Sequence, residues 1–158
     1  MSTMRLQRLV AVFEILGGAY GFIGGGVTLI VAFSHGSTGV VEAAAFLITL
    51  SACSIVGGVE LYRGNPLGRD LSTAVQAAQT PLLAFHSVHY SAFLLARITI
   101  SWGSEGLAFG AGLGGEYIVH WSSPADAPTN SVGLNVLAMG FLIFVLLLRR
   151  QNRPAETP

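Results

Sequence analysis

Two histidines, His86 and His89, sit three residues apart in QTPLLAFHSVHYSAFLLAR, residues 79–97, a stretch with no charge before Arg97. On a helix, imidazoles at i and i+3 project in similar directions. Such a pair can ligate a metal or one axial position of a haem, pass protons, or hydrogen-bond a neighbouring helix. Metal sites generally draw on three or four protein ligands, and the other candidates are His35, His120 and the external carboxylates. A site with His120 would need the segment carrying it to fold down as a lid. Interhelical hydrogen bonding is therefore the favoured reading of His86 and His89. A proton or solute path comes second and a haem or metal third, so no cofactor or metal is expected.

The same stretch is polar along one side. Ser72, Gln76, Gln79, Thr80, Ser87 and Tyr90 recur with His86 at three- and four-residue intervals. In lipid such a face must meet partners inside a bundle. Pro81 removes a backbone donor, which predicts a kink near Ala77–Pro81.

Two glutamates, Glu14 and Glu60, interrupt apolar runs, and an ionisable group inside a membrane is a functional candidate by default. Glu60 precedes Arg63 by three residues and so shares its helical face. Glu14 is six residues from Arg8, about 9 Å along a helix, within reach of the interface. Ion pairing at the membrane rim is the favoured reading, and a proton or cation site built from the two is the alternative. Gly17, Gly21 and Gly25, at intervals of four, form a glycine zipper facing the small surface of Ser54, Gly57 and Gly58. Small residues let helices approach closely in lipid, which predicts packing of the first helix on the second; a homo-oligomer interface is the contrasting use.

The elements that would position these residues follow from the charge pattern. The chain has 158 residues, 52% apolar and 10% charged, against about a quarter charged in soluble domains. No Asp, Glu, Lys or Arg occurs in 15–41, 43–59, 71–96 or 127–148. A crossing helix needs roughly 20 apolar residues, and four spans are predicted, at about 9–33, 41–62, 71–96 and 131–148. The first is too long for a signal-peptide core and is expected to be retained. Pro66 and the neighbouring glycines end the second span, and Asp70 is placed to cap the third. Seven of the eight arginines then fall on one side, Arg97 excepted, so both termini are expected to be cytoplasmic.

Residues 97–130 are too long for a helix–helix link and alternate with period two, as in Ile98, Ile100, Trp102 and in Tyr117, Val119, Trp121. A small external β-hairpin or meander is expected, with Leu113 facing Tyr117, Ala111 facing Val119 and Phe109 facing Trp121. Its apolar residues Phe109, Tyr117 and Trp121 would form an interface. The whole chain is thus read as one all-α integral membrane domain, a four-helix bundle of the inner or plasma membrane carrying this β element.

The exclusions are clearer than the function. A single cysteine, Cys53, cannot serve a thiol oxidoreductase, and balanced charge leaves no nucleic-acid footprint. Enzyme motifs are absent; GAGLGG at 110–115 lacks the P-loop lysine, and the chain contains no Lys at all. The expectation is a non-enzymatic accessory or scaffold subunit whose partners are the bilayer and a second copy or another membrane protein. The alternative is a small transporter using the polar third helix, and a haem or metal redox protein is the weaker third.

Overall fold

The computed structural model describes residues 3–36, 38–85, 88–104, 106–114, 116–121 and 130–151. It opens with a long helical hairpin, α1 (Thr3–His35) and α2 (Thr38–Tyr62). Both segments are proline-free and almost charge-free. They are held together through glycine. A Cβ on Gly18 would lie 2.7 Å from the Ser51 carbonyl, one on Gly25 would lie 2.9 Å from Ile48, and one on Gly58 would lie 2.8 Å from the Ala11 carbonyl. Only hydrogen side chains permit this approach.

A tight corner reverses the chain. Gly64 takes a φ of 80°, its N–H reaches the Leu61 carbonyl at 3.0 Å, and the Asn65 N–H reaches Glu60 at 2.9 Å. This Schellman closure ends α2. Asn65 then caps α3 (Pro66–Gln79) by accepting from the Leu67 N–H at 3.2 Å, with Pro66 at the first helical position. Asp70, expected as the cap, instead pairs with Arg149 at 3.2 Å.

Beyond Gln79 the fold departs from the sequence expectation. The predicted third span, 71–96, is not one helix: α3 stops before Pro81, and β1 (Pro81–Phe85) and β2 (Val88–Phe93) follow. The predicted fourth span, 131–148, divides into β6 (Ser131–Asn135) and α4 (Val136–Gln151). Between them lie β3 (Ala96–Gly103), β4 (Gly106–Leu113) and β5 (Glu116–Trp121). All six strands form one antiparallel sheet in the order β4-β3-β6-β1-β2-β5. The four-helix membrane bundle is thereby overturned. Among the described residues, two helices, α1 and α2, are long and apolar enough to cross a membrane. At 14 and 16 residues, α3 and α4 reach only about 21 and 24 Å.

The physical reasons are local. Pro81 breaks α3 instead of kinking it, and the aromatic-rich run after it suits a pleated surface. A short apolar run has no period that separates a buried strand from a buried helix. The expected β4–β5 hairpin is also corrected. Leu113 stands opposite Ala96 and Phe109 opposite Ile100, whereas Tyr117 stands opposite Ala92 and Trp121 opposite Val88.

Two apolar clusters stabilise the body. Leu47, Leu50, Val75, Ala92 and Leu94 join α2 and α3 to the sheet. Val10, Ala11, Leu61 and Val145 join α1, α2 and α4, with Phe141 and Phe144 against them. Phe13 meets Phe141 edge-on at 5.7 Å.

The glycine geometry makes a paired prediction. Gly18→Ala should lose about 1–3 kcal/mol through overpacking, whereas Gly26→Ala, with nothing within 4 Å of its Cβ position, should be neutral or stabilising. Unfolding midpoints in detergent compare the two, and equal midpoints would refute the packing account.

Candidate functional site

Between the two apolar clusters lies a polar layer, and Glu14 is at its centre. The residue is only 3% exposed. Ser72 Oγ donates to one carboxylate oxygen at 2.5 Å and Gln76 Nε2 donates to the other at 2.9 Å. Ser54 Oγ, from α2, donates to the Glu14 carbonyl at 2.9 Å. Residues 72, 76 and 79 share one face of α3 because they recur at helical spacing. Gly57 and Gly58 clear the space in front of that face: a Cβ on Gly57 would lie 3.0 Å from Leu71, and one on Gly58 would lie 3.1 Å from the Glu14 Cβ.

Removing a carboxylate from water is costly unless its oxygens are hydrogen-bonded and its charge is balanced. Here the bonding comes from neutral donors. Among the described residues, no basic side chain is paired with Glu14; Arg63 pairs with Glu60 and Arg149 with Asp70. Beside the carboxylate is a cavity of about 30 Å³ with Glu14, Ser54, Gln76 and Gln79 on its polar side. Phe13, Leu94 and Phe141 are on the apolar side. That volume admits a water-sized species, which needs about 10–15 Å³ on the same measure. Gln79 Oε1 accepts from the Leu94 N–H at 3.0 Å, which fixes the sheet against α3 at the cavity edge.

The other residues singled out from the sequence fall elsewhere. Glu60 sits at the rim, held by Arg63 at 2.9 Å and by Asn65 Nδ2 at 2.6 Å, so the two glutamates have different partners. His86 lies outside the described residues. His89 belongs to β2, where its register partner is His120 of β5. Tyr90 Oη donates to the Ala78 carbonyl at 2.5 Å. Gly17 and Gly21 pack on Leu94, Gly21 and Gly25 on α2, and Gly57 and Gly58 on α3 and α1. Phe109 is on β4, which pairs with β3, whereas Tyr117 and Trp121 are on β5, which pairs with β2, so the three do not face one another across a hairpin. Among the described residues, no three His, Cys, Asp or Glu side chains group as metal ligands.

Two contributions were not anticipated. Ser72 and Ser54 converge on Glu14, although the sequence shows them only as polar and small positions. Asn135, 1% exposed, accepts from the N–H groups of Ile98 and Ala138, each at 3.4 Å, and so joins β3 to the start of α4. The signal for it is an Asn directly before the apolar run VLAMGFL.

Ser72→Ala and Gln76→Leu should each lose about 1–3 kcal/mol because they strip a donor from a buried carboxylate. In a Glu14→Leu background both losses should shrink towards zero. A double-mutant cycle in detergent measures this, and additive losses would show that the bonds carry no coupling. No family model, curated protein or solved structure matches this chain, so what the pocket can do is decided by its own chemistry.

Proposed function

We propose that the chain is a membrane protein, held in the bilayer by α1 and α2, that takes up a proton or a small monovalent cation at Glu14. One observation carries the reading: a buried carboxylate bonded only by neutral donors, beside a cavity of about 30 Å³. Such a group calls for a mobile positive charge where no fixed one stands. Gln76 and Gln79 line the same cavity, and their amide oxygens are the kind of ligand a hard cation accepts. The transport function expected for the polar third helix is thereby centred on its first half, residues 72–79, and not on the histidines.

A membrane setting is supported by the outer surface of the hairpin. Leu16, Tyr20, Ile23, Val27, Ile30 and Phe33 are all exposed along α1, an apolar stripe of the kind that marks a membrane or protein contact. With two crossings, Arg5 and Arg8 at the start of α1 and Arg63 and Arg69 after α2 fall at the hairpin base, and the turn at His35–Thr38 carries no arginine. The positive-inside rule then makes the base cytoplasmic. A second reading, a non-enzymatic assembly subunit, is favoured by the apolar face that β3 and β4 leave exposed: Trp102 is 69% and Phe109 is 73% exposed.

In proteoliposomes with an imposed potential, the protein should carry protons or sodium inward. Glu14→Gln, which keeps the size but removes the charge and turns one accepting oxygen into a donor, should abolish that flux, and Glu60→Gln should leave it intact. Equal flux in wild type and Glu14→Gln would dispose of the site. The orientation has its own check in Cys53→Ser/Gly36→Cys. An impermeant maleimide should label it only from the non-cytoplasmic side, and labelling from the cytoplasmic side would reverse the topology.

A further inference from the structure

The outer edge of β4 is built to pair. β4 ends the sheet, with β3 as its one partner strand among the described residues. The register runs without a bulge from Ala96↔Leu113 to Gly103↔Gly106. The Gly114 N–H bonds to the Leu95 carbonyl at 2.8 Å, which sets the alternation of the ladder. Gly112, Gly110, Ala108 and Gly106 therefore exchange backbone bonds with β3. The N–H and C=O groups of Leu107, Phe109, Ala111 and Leu113 point to the open side.

Natural edges are blunted by charge, proline, a bulge or a cover. The strand GLAFGAGL has no charge and no proline. Its exposed side chains are large and apolar on one face, with Phe109 at 73% and Leu113 at 89% exposure. Its other face carries only glycine and alanine.

We infer that β4 pairs antiparallel with β4 of a second copy of this chain about a two-fold axis through Gly110. This register sets Leu107 opposite Leu113, and Phe109 opposite Ala111, of the second copy. All four outward residues on each strand are then satisfied. The bulky ring of Phe109 meets the smallest side chain on that face. A strand without charge brings no like-charge repulsion to a two-fold contact, and one self-complementary patch closes the assembly as a dimer. A strand from another protein could satisfy the same backbone groups, but it would not need this pairing of large with small across the axis. The apolar face of the sheet would then continue without interruption from one copy into the next. The pairing is independent of Glu14, so Glu14→Gln should leave it unchanged.

The full chain in mild detergent should give a native mass of twice 16.5 kDa. Ala111→Pro removes one outward N–H while leaving the bonds to β3 in place. It should give the monomer mass with unchanged strand content by circular dichroism. Independently, Cys53→Ser/Gly110→Cys should form a disulfide-linked dimer on mild oxidation. A wild-type monomer would overturn the inference, as would a dimer that survives Ala111→Pro and gives no disulfide through position 110. A different protein released by Ala111→Pro would overturn it in favour of a foreign strand.

Discussion

The body of this fold depends on satisfying one carboxylate. Glu14 is on the first helix, and its donors Ser72 and Gln76 lie 58 and 62 residues further along the chain. Burying an ion costs several kcal/mol unless its oxygens are bonded, so α3 must dock at one depth and one rotation. That demand explains the stringency of the corner before it. Gly64 closes α2, Asn65 both completes that closure and caps α3, and Gly68 passes directly over the backbone of Glu60 and Leu61. A side chain at Gly57 or Gly68 would hold α3 away from α2, and one at Gly58 would push α1 and Glu14 away, so either would part the carboxylate from its donors. The glycines thus do for the polar layer what they also do for the helix hairpin.

The sheet completes the enclosure. Gln79, at the end of α3, accepts from the Leu94 N–H, and Leu94 packs on Gly17 and Gly21 of α1. Asn135 binds the N–H of Ile98 and caps α4, which returns along α1 and ends in the Arg149–Asp70 pair. Each of these contacts crosses between elements distant in sequence. A lesion at any of them should loosen the surroundings of Glu14 before it loosens the helix hairpin, where Gly18 and Gly25 of α1 and Gly58 of α2 pack directly on the facing helix.

How much of this was legible depends on which forces act locally. The hairpin was readable because charge-free length and glycine spacing are properties of one segment. The strands β3, β4 and β5 were readable from period-two alternation, but their partners were not. β4 and β5 are neighbours in sequence and yet do not pair with each other, because they follow one another along one side of the ladder and pair in turn with β3 and β2. Residues 81–93 and 131–135 read as helix because they are apolar, and an apolar run of that length has no period that identifies it. Pro81 was the available sign, and a full stop there was the better reading. Within the site, Glu14, Gln76 and Gln79 could be singled out by residue type in apolar surroundings. Their convergence could not, because it needs the rotation of α3, which Ser72 and Ser54 help set from two other places in the chain.

The lengths of the remaining helices explain what the surplus apolar sequence is for. α3 and α4, at about 21 and 24 Å, fall short of the roughly 30 Å hydrocarbon core. Each turns one apolar face inward, where Val75 joins the cluster around Leu94 and Val145 joins Val10, Ala11 and Leu61, while Leu67, Ile143, Leu146 and Leu147 stay exposed. These clusters lie on either side of the polar layer and keep bulk water from Glu14. A low-dielectric surround strengthens each hydrogen bond to the carboxylate and also raises the cost of leaving its charge unbalanced. Part of the apolar sequence therefore forms the hairpin's outer surface, and part encloses the buried Glu14 carboxylate and its donors.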